Sequence, residues 1–156
     1  MNNPVKLVLS LAMTVITGLS GGFFSVNDIP GWYAHLNKPS WNPPNWIFPP
    51  VWTSLYIIMG YSLFLVWKSN APVRLKRIAL TLFTIQLLLN FFWSFVFFKQ
   101  HAMGWALAEI ITLWIMILLT IFAFKKISSL AAWLLVPYFC WVSFASFLNY
   151  TIWRIN

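Results

Sequence analysis

Hydrophobic residues do not alternate with polar ones along this chain. They come in five long, nearly unbroken runs, at about Val5–Val26, Pro49–Trp67, Arg77–Phe98, Met103–Phe124 and Leu130–Trp153. A run of about 20 apolar residues is the length a helix needs to cross the hydrocarbon core of a bilayer. Each run therefore predicts a transmembrane helix, because only a helix bonds all of its own backbone groups where no water can do so. The fold class expected is an all-α integral membrane protein, one five-helix domain over residues 1–156. The linkers Lys68–Lys76, Lys99–Ala102 and Lys125–Ser129 are short and predict that consecutive helices are antiparallel neighbours. One connection, residues 27–48, is longer.

Polar and small positions refine these elements. In the first run Ser10, Thr14, Gly18 and Gly22 recur every fourth residue and share one face. Gly18 and Gly22 form a G-x-x-x-G pair, which lets another helix approach closely. Packing within the molecule is the expected use, with a second copy of the chain as the alternative. In the third run Gln86, Asn90, Trp93 and Ser94 fall on one face. Amides in hydrocarbon need partners, so this face should point into the bundle, as helix glue or as pocket lining. In the fifth run Pro137, Trp141, Ala145 and Leu148 follow one face, and the small Ala145 leaves room beside Trp141.

Composition confirms the membrane reading. The chain is 61% hydrophobic and 8% charged, where soluble domains carry about 25% charged residues. The net charge of +8 comes from ten basic residues against Asp28 and Glu109. In a soluble protein this would suggest nucleic acid. Here the basic residues flank the spans, where they meet anionic headgroups and set orientation, and no nucleic-acid partner is expected. Lys6, Lys68, Arg74, Lys76, Arg77, Lys125 and Lys126 fall on one side, and Lys38, Lys99 and Arg154 on the other. The richer side should be cytoplasmic, with the N-terminus inside and the C-terminus and first loop outside. The first run lacks an A-x-A cleavage site and reads as a retained helix. A bacterial plasma membrane is the expected location, since no targeting extension is seen.

Reactive chemistry is sparse. There is no G-x-S-x-G, no Gly-rich phosphate loop and no H-E-x-x-H. The single cysteine, Cys140, excludes an intramolecular disulfide and reads as a small buried hydrophobe. His35 and His101 both fall in outer loops, and no metal site is expected from two histidines without a third ligand. Glu109 lies about two turns into the fourth helix, as a functional carboxylate or as a packing group. Trp67, Trp105, Trp114 and Trp153 fit interfacial anchors.

The concentration of aromatics between Trp32 and Trp52 needs another explanation. This stretch holds Pro39, Pro43, Pro44, Pro49 and Pro50 with Trp32, Trp41, Trp46 and Trp52. Proline removes a backbone donor and fixes φ, so the stretch forms a stiff, irregular loop rather than a continuous helix. Placed over the mouth of the bundle, it would present large rings to a cavity. Trp52 opens the second helix, with Tyr56 one turn later. Indoles, with an apolar body and one N–H, suit a flat aromatic ligand.

The pattern W-Y-x-x-L-x-K-P-x-W-x-P-P at Trp32, Tyr33, Leu36, Lys38, Pro39, Trp41, Pro43 and Pro44 is followed by Pro49-x-x-Trp52 and Leu55-Tyr56-x-x-Met59-Gly60. Then come Gln86-Leu87-x-Leu89-Asn90-x-x-Trp93-Ser94 and Pro137-Tyr138-x-x-Trp141-x-x-Phe144-Ala145-x-x-Leu148-Asn149. Together, over nearly the whole chain, these motifs resemble the translocator protein family, also called tryptophan-rich sensory proteins or peripheral-type benzodiazepine receptors. The resemblance implies five helices around a ligand pocket capped by the first loop. It implies binding of tetrapyrroles such as protoporphyrin IX, and of benzodiazepine-type ligands, with no tightly bound cofactor. The implied ligand-binding residues are Trp32, Tyr33, Trp52, Tyr56, Asn90, Trp93, Trp141, Ala145 and Leu148, with Lys38 or loop N–H groups available to ligand propionates. The role implied is receptor or sensor. Enzymatic, light- and oxygen-dependent degradation of the porphyrin is the alternative, with Trp52 and Trp141 as its catalytic residues. Transport of lipid or porphyrin is a further one. Membrane lipid and a second copy of the chain are candidate partners. The third helix lacks the small-x-x-x-small pair that some relatives use to dimerise. Leu148, Tyr150 and Arg154 fit a weak cholesterol-contact pattern, and equally an interfacial anchor.

Overall fold

The computed structural model describes residues 2–26 and 28–156. Helix α1 spans Asn3–Ser25, α2 Trp32–His35, α3 Phe48–Lys68, α4 Val73–Ser94, α5 Met103–Lys125, α6 Ser129–Leu134 and α7 Val136–Ile155. A 3₁₀ turn at Asn45–Ile47 leads into α3, and a π-helical turn at Phe95–Lys99 extends α4. Five stretches of the described residues are long and apolar enough to cross a membrane: α1, Asn45–Lys68, Val73–Lys99, α5 and Ser129–Ile155.

Local chemistry explains the helix ends. Pro49 and Pro50 sit in the first turn of α3, where missing N–H groups cost least. Asn2 caps α1, its Oδ1 accepting from the Val5 amide at 3.2 Å. Helix α4 starts four residues earlier than hydropathy predicts, at Val73 rather than Arg77. Arg74, Lys76 and Arg77 interrupt the apolar run without interrupting the helix. The fifth span is broken at Leu135 into α6 and α7. Pro137 has no N–H to bond the preceding turn, so the ladder lapses just before it.

The helices close into a ring. Helix α1 packs on α3 and α4, α4 on α5, α5 on α7 and α6, and α6 on α3. Consecutive spans are in contact, as the short linkers predict, although α3 and α4 meet less than either meets α1. The main core joins Met59, Leu63 and Val66 of α3 to Phe83 of α4, Leu113 and Ile117 of α5, and Tyr138 and Val142 of α7. A smaller core of Tyr33, Phe97, Ala106, Leu148 and Ile152 lies beneath the first loop.

The small-residue face of α1 packs inside the molecule. Ser10 and Thr14 are buried, and the Thr14 hydroxyl donates to the Tyr56 carbonyl oxygen at 2.8 Å. A Cβ added to Gly60 would fall 2.9 Å from the Leu11 backbone. Gly18 lies directly against the Tyr56 ring, whereas Gly22 faces open space. The opposite face of α1, with Val8, Ile16, Leu19 and Phe23, is exposed, as lipid-facing positions are. Two further expectations are corrected. Cys140 is exposed on the outside of the bundle rather than buried. Trp114, midway along α5, packs on the core and donates to Ser143 Oγ at 2.8 Å, so it is not an interfacial anchor.

Candidate functional site

The first loop is folded by its own polar groups. Lys38 Nζ donates to the carbonyl oxygens of Tyr33 at 2.7 Å, Leu36 at 2.9 Å and Ala34 at 3.3 Å. These bonds occupy the ammonium at the end of α2, so Lys38 acts as a brace rather than as a free cation for ligand propionates. The Tyr33 hydroxyl donates to Asn42 Oδ1 at 3.1 Å. Burial pushes the Tyr33 phenol above its usual range, the Asn42 bond opposing it. Asn156 ties the loop to α7, accepting from the Asn37 amide and donating to its carbonyl, each at 2.9 Å.

Several aromatics of the loop and of the start of α3 land on the bundle, while Trp46 is exposed. Trp41 stacks on Phe147 with centroids 5.3 Å apart. Phe48 meets Trp141 edge-on at 6.0 Å. Trp32 meets Phe97 at 5.6 Å and stacks on His101 at 4.1 Å, while His101 Nε2 lies 3.1 Å from Asp28 Oδ1. His35 Nδ1 bonds instead to the Gly31 carbonyl at 2.7 Å. The two histidines are thus engaged separately, and the described residues contain no cluster of three or more metal-ligating side chains.

Below the loop, three helices meet through one amide. The Tyr56 hydroxyl of α3 donates to Asn90 Oδ1 of α4, and Asn90 Nδ2 donates to the Tyr138 hydroxyl of α7 at 3.1 Å. Trp52 stacks on Tyr56 at 5.6 Å and meets Tyr138 edge-on at 6.2 Å. Trp141 and Ala145, on the same side of α7, pack against this cluster half-buried. Trp52, Tyr56 and Asn90 are thus joined through Tyr138, and Trp141 and Ala145 follow Tyr138 along α7. Trp32, Tyr33 and Leu148 belong to the loop-side core, and Trp93 touches both. Trp93 is itself committed: its Nε1 donates to Asn149 Oδ1 at 3.2 Å and its ring stacks on Phe97 at 4.9 Å. Two surface grooves, of about 540 and 550 Å³, lie elsewhere, at Trp67–Ile85 and around His101–Trp105.

Several polar atoms in the bundle lack a partner among the described residues. They are Trp141 Nε1, both carboxylate oxygens of Glu109, both amide atoms of Gln86 and the Ser10 hydroxyl, all buried. Buried polar groups are nearly always bonded, so each unpaired one calls for an explanation. Gln86 faces inward as its position predicts, but it is not glue between helices.

The sequence reading passed over three contributors. Tyr138 completes the Asn90 relay, and its place one turn before Trp141 on the same face was the available signal. Asn149 holds Trp93 and also donates to the Met103 carbonyl at 3.1 Å. Phe48 meets Trp141 from the first residue of α3; nothing in its sequence context marks it.

Comparison with known proteins places the chain in a family. The TspO/MBR family model matches residues 10–154. The tryptophan-rich protein TspO of Chlorobaculum tepidum is 46% identical over all of this chain and 99% of its own length. The human translocator protein is 45% identical over 80% of this chain and 75% of its own. The tryptophan-rich sensory protein of Cereibacter sphaeroides is 39% identical over 80% of this chain and 77% of its own. With five apolar spans, a tryptophan-bearing loop closing one end and a family match across nearly its whole length, the chain is an integral membrane protein of the TspO/MBR family.

Proposed function

We propose that the chain is a membrane receptor or sensor that binds a planar tetrapyrrole, protoporphyrin IX or a close relative, between the first loop and the upper bundle. The names of its relatives, translocator protein and tryptophan-rich sensory protein, support the receptor or sensor role. The observation that carries the ligand reading is the Trp141 indole. Its N–H is buried and has no partner among the described residues, beside the small Ala145 and edge-on to Phe48. Trp52 supplies a second indole held by Tyr56 and Tyr138. A flat apolar macrocycle fits such rings, and a ligand acceptor would satisfy the indole N–H. Trp32, Tyr33 and Leu148 would form the lid side, and Asn90 and Trp93 would hold the walls. The end bearing Lys6, Lys68, Arg74, Lys76, Arg77, Lys125 and Lys126 would face the cytoplasm, and the loop the outside, in a bacterial plasma membrane.

Replacing Trp52 by Phe tests the site. The substitution removes ring area and the N–H but keeps an aromatic wall. Affinity for protoporphyrin IX should fall roughly fivefold, the scale of about 1 kcal/mol for one aromatic contact, with an unchanged melting temperature. Wild-type affinity in Trp52→Phe would take this residue out of the site.

A further inference from the structure

The end of the bundle opposite the loop has a charge problem that the protein does not solve. The chain has only two carboxylate side chains, Asp28 and Glu109. Asp28 pairs with His101 at the loop end, and Glu109 is held within α5, two turns from that same end. No carboxylate side chain is left for Lys6, Lys68, Arg74, Lys76, Arg77, Lys125 and Lys126, which alternate crossing of the five spans brings to the other end. Their counter-charge must come from outside the chain.

At one place these cations stand over an apolar groove. Trp67 at the end of α3 and Val73, Lys76, Arg77, Leu80, Thr81, Thr84 and Ile85 along one stripe of α4 line a groove of about 540 Å³. It lies where α3 and α4, though consecutive, meet less than either meets α1. Thr84 donates its hydroxyl to the Leu80 carbonyl at 2.9 Å, so that group is satisfied within α4. Lys76 Nζ donates to the Ser69 carbonyl at 3.1 Å, which holds it at the mouth and leaves two of its N–H groups unused. Arg77 donates to no side chain or backbone acceptor among the described residues and is exposed beside it. Charge thus sits at the membrane-surface end of the stripe, and apolar walls run from it into the depth of the span.

We propose that this groove is a binding site for one anionic glycerophospholipid, with its phosphate between Lys76 and Arg77 and an acyl chain along Leu80, Thr84 and Ile85. A free anion would use the mouth but not the walls. A zwitterionic lipid would use the walls but bring its own cation to a mouth already cationic. Only an anionic lipid answers both halves. The inference does not depend on the tetrapyrrole reading, since the groove lies at the other end of the bundle.

Native mass spectrometry of detergent-purified protein titrated with phosphatidylglycerol tests it, with phosphatidylcholine, inorganic phosphate, Lys76→Gln/Arg77→Gln, Lys125→Gln/Lys126→Gln and Thr84→Phe as the comparison arms. One phosphatidylglycerol should bind in preference to phosphatidylcholine. Affinity should fall about thirtyfold in Lys76→Gln/Arg77→Gln, the scale of two basic side chains at an anionic surface, and stay near wild type in Lys125→Gln/Lys126→Gln. Thr84→Phe keeps every charge but blocks the chain path, and should weaken phosphatidylglycerol at least fivefold while leaving the melting temperature intact. Equal losses from both basic pairs would overturn the site in favour of diffuse surface charge. So would equal binding of phosphatidylcholine, wild-type affinity in Thr84→Phe, or displacement of the lipid by inorganic phosphate at comparable concentration.

Discussion

Gly18→Leu should destabilise the bundle by about 3 kcal/mol, the upper part of the range for overpacking a tight contact. A Cβ at Gly18 would fall on the Tyr56 ring, and the ring has nowhere to retreat without dropping its bond to Asn90. The clash therefore adds the loss of a hydrogen bond between helices, worth about 0.6 kcal/mol in membrane bundles, to the strain itself. Gly22→Leu is the matched control. It lies one turn along the same helix and a Cβ there meets nothing within 4 Å. Thermal melting of both variants in one detergent checks the prediction. Near-equal melting temperatures would mean that α1 can slide on α3, and that the small-residue face is not what fixes their distance.

Asn90→Ala should lower stability by about 2 kcal/mol. The change strands the Tyr56 and Tyr138 hydroxyls, the second fully buried, and an unsatisfied buried partner costs about 1–3 kcal/mol. Because the two bonds share one side chain, the cost is not additive with loss of a partner. Tyr56→Phe/Asn90→Ala should be distinctly more stable than the sum of the single changes predicts. Melting curves of the three variants measure this. Strict additivity would mean that Asn90 does not couple α3 to α7. Any loss of ligand affinity in Asn90→Ala should follow from movement of Trp52, whose ring rests on Tyr56 and Tyr138.

These residues also mark how far the sequence could be read. The five spans were legible because backbone bonding in hydrocarbon leaves no alternative to a long apolar helix. Where polar side chains and helix geometry disagree, hydropathy erred: α4 begins at Val73 because a cationic first turn at a membrane surface is no obstacle to a helix. That Gln86 and Asn90 face inward followed from spacing. That Asn90 is bonded twice and Gln86 not at all did not follow, because the partners come from α3 and α7, far away in sequence. The bracing of Lys38 was hidden for a different reason. Its carbonyl partners are only two to five residues away, but they converge only once α2 has formed and turned. Cys140 and Trp114 show that an apolar run conceals which face meets lipid when hydrophobic residues occupy every side.

The most direct test of the ligand reading is titration of the purified protein with protoporphyrin IX in the dark, following tryptophan fluorescence, and then illumination of the same samples beside Trp141→Phe. The account predicts saturable, one-to-one quenching in the wild type and weaker binding in Trp141→Phe. Illumination separates a sensor, which leaves the porphyrin to bleach at its free rate, from an enzyme, which converts it to a discrete product in a tryptophan-dependent way. Quenching that never saturates, or that is identical in Trp141→Phe, would contradict a tetrapyrrole site at this indole.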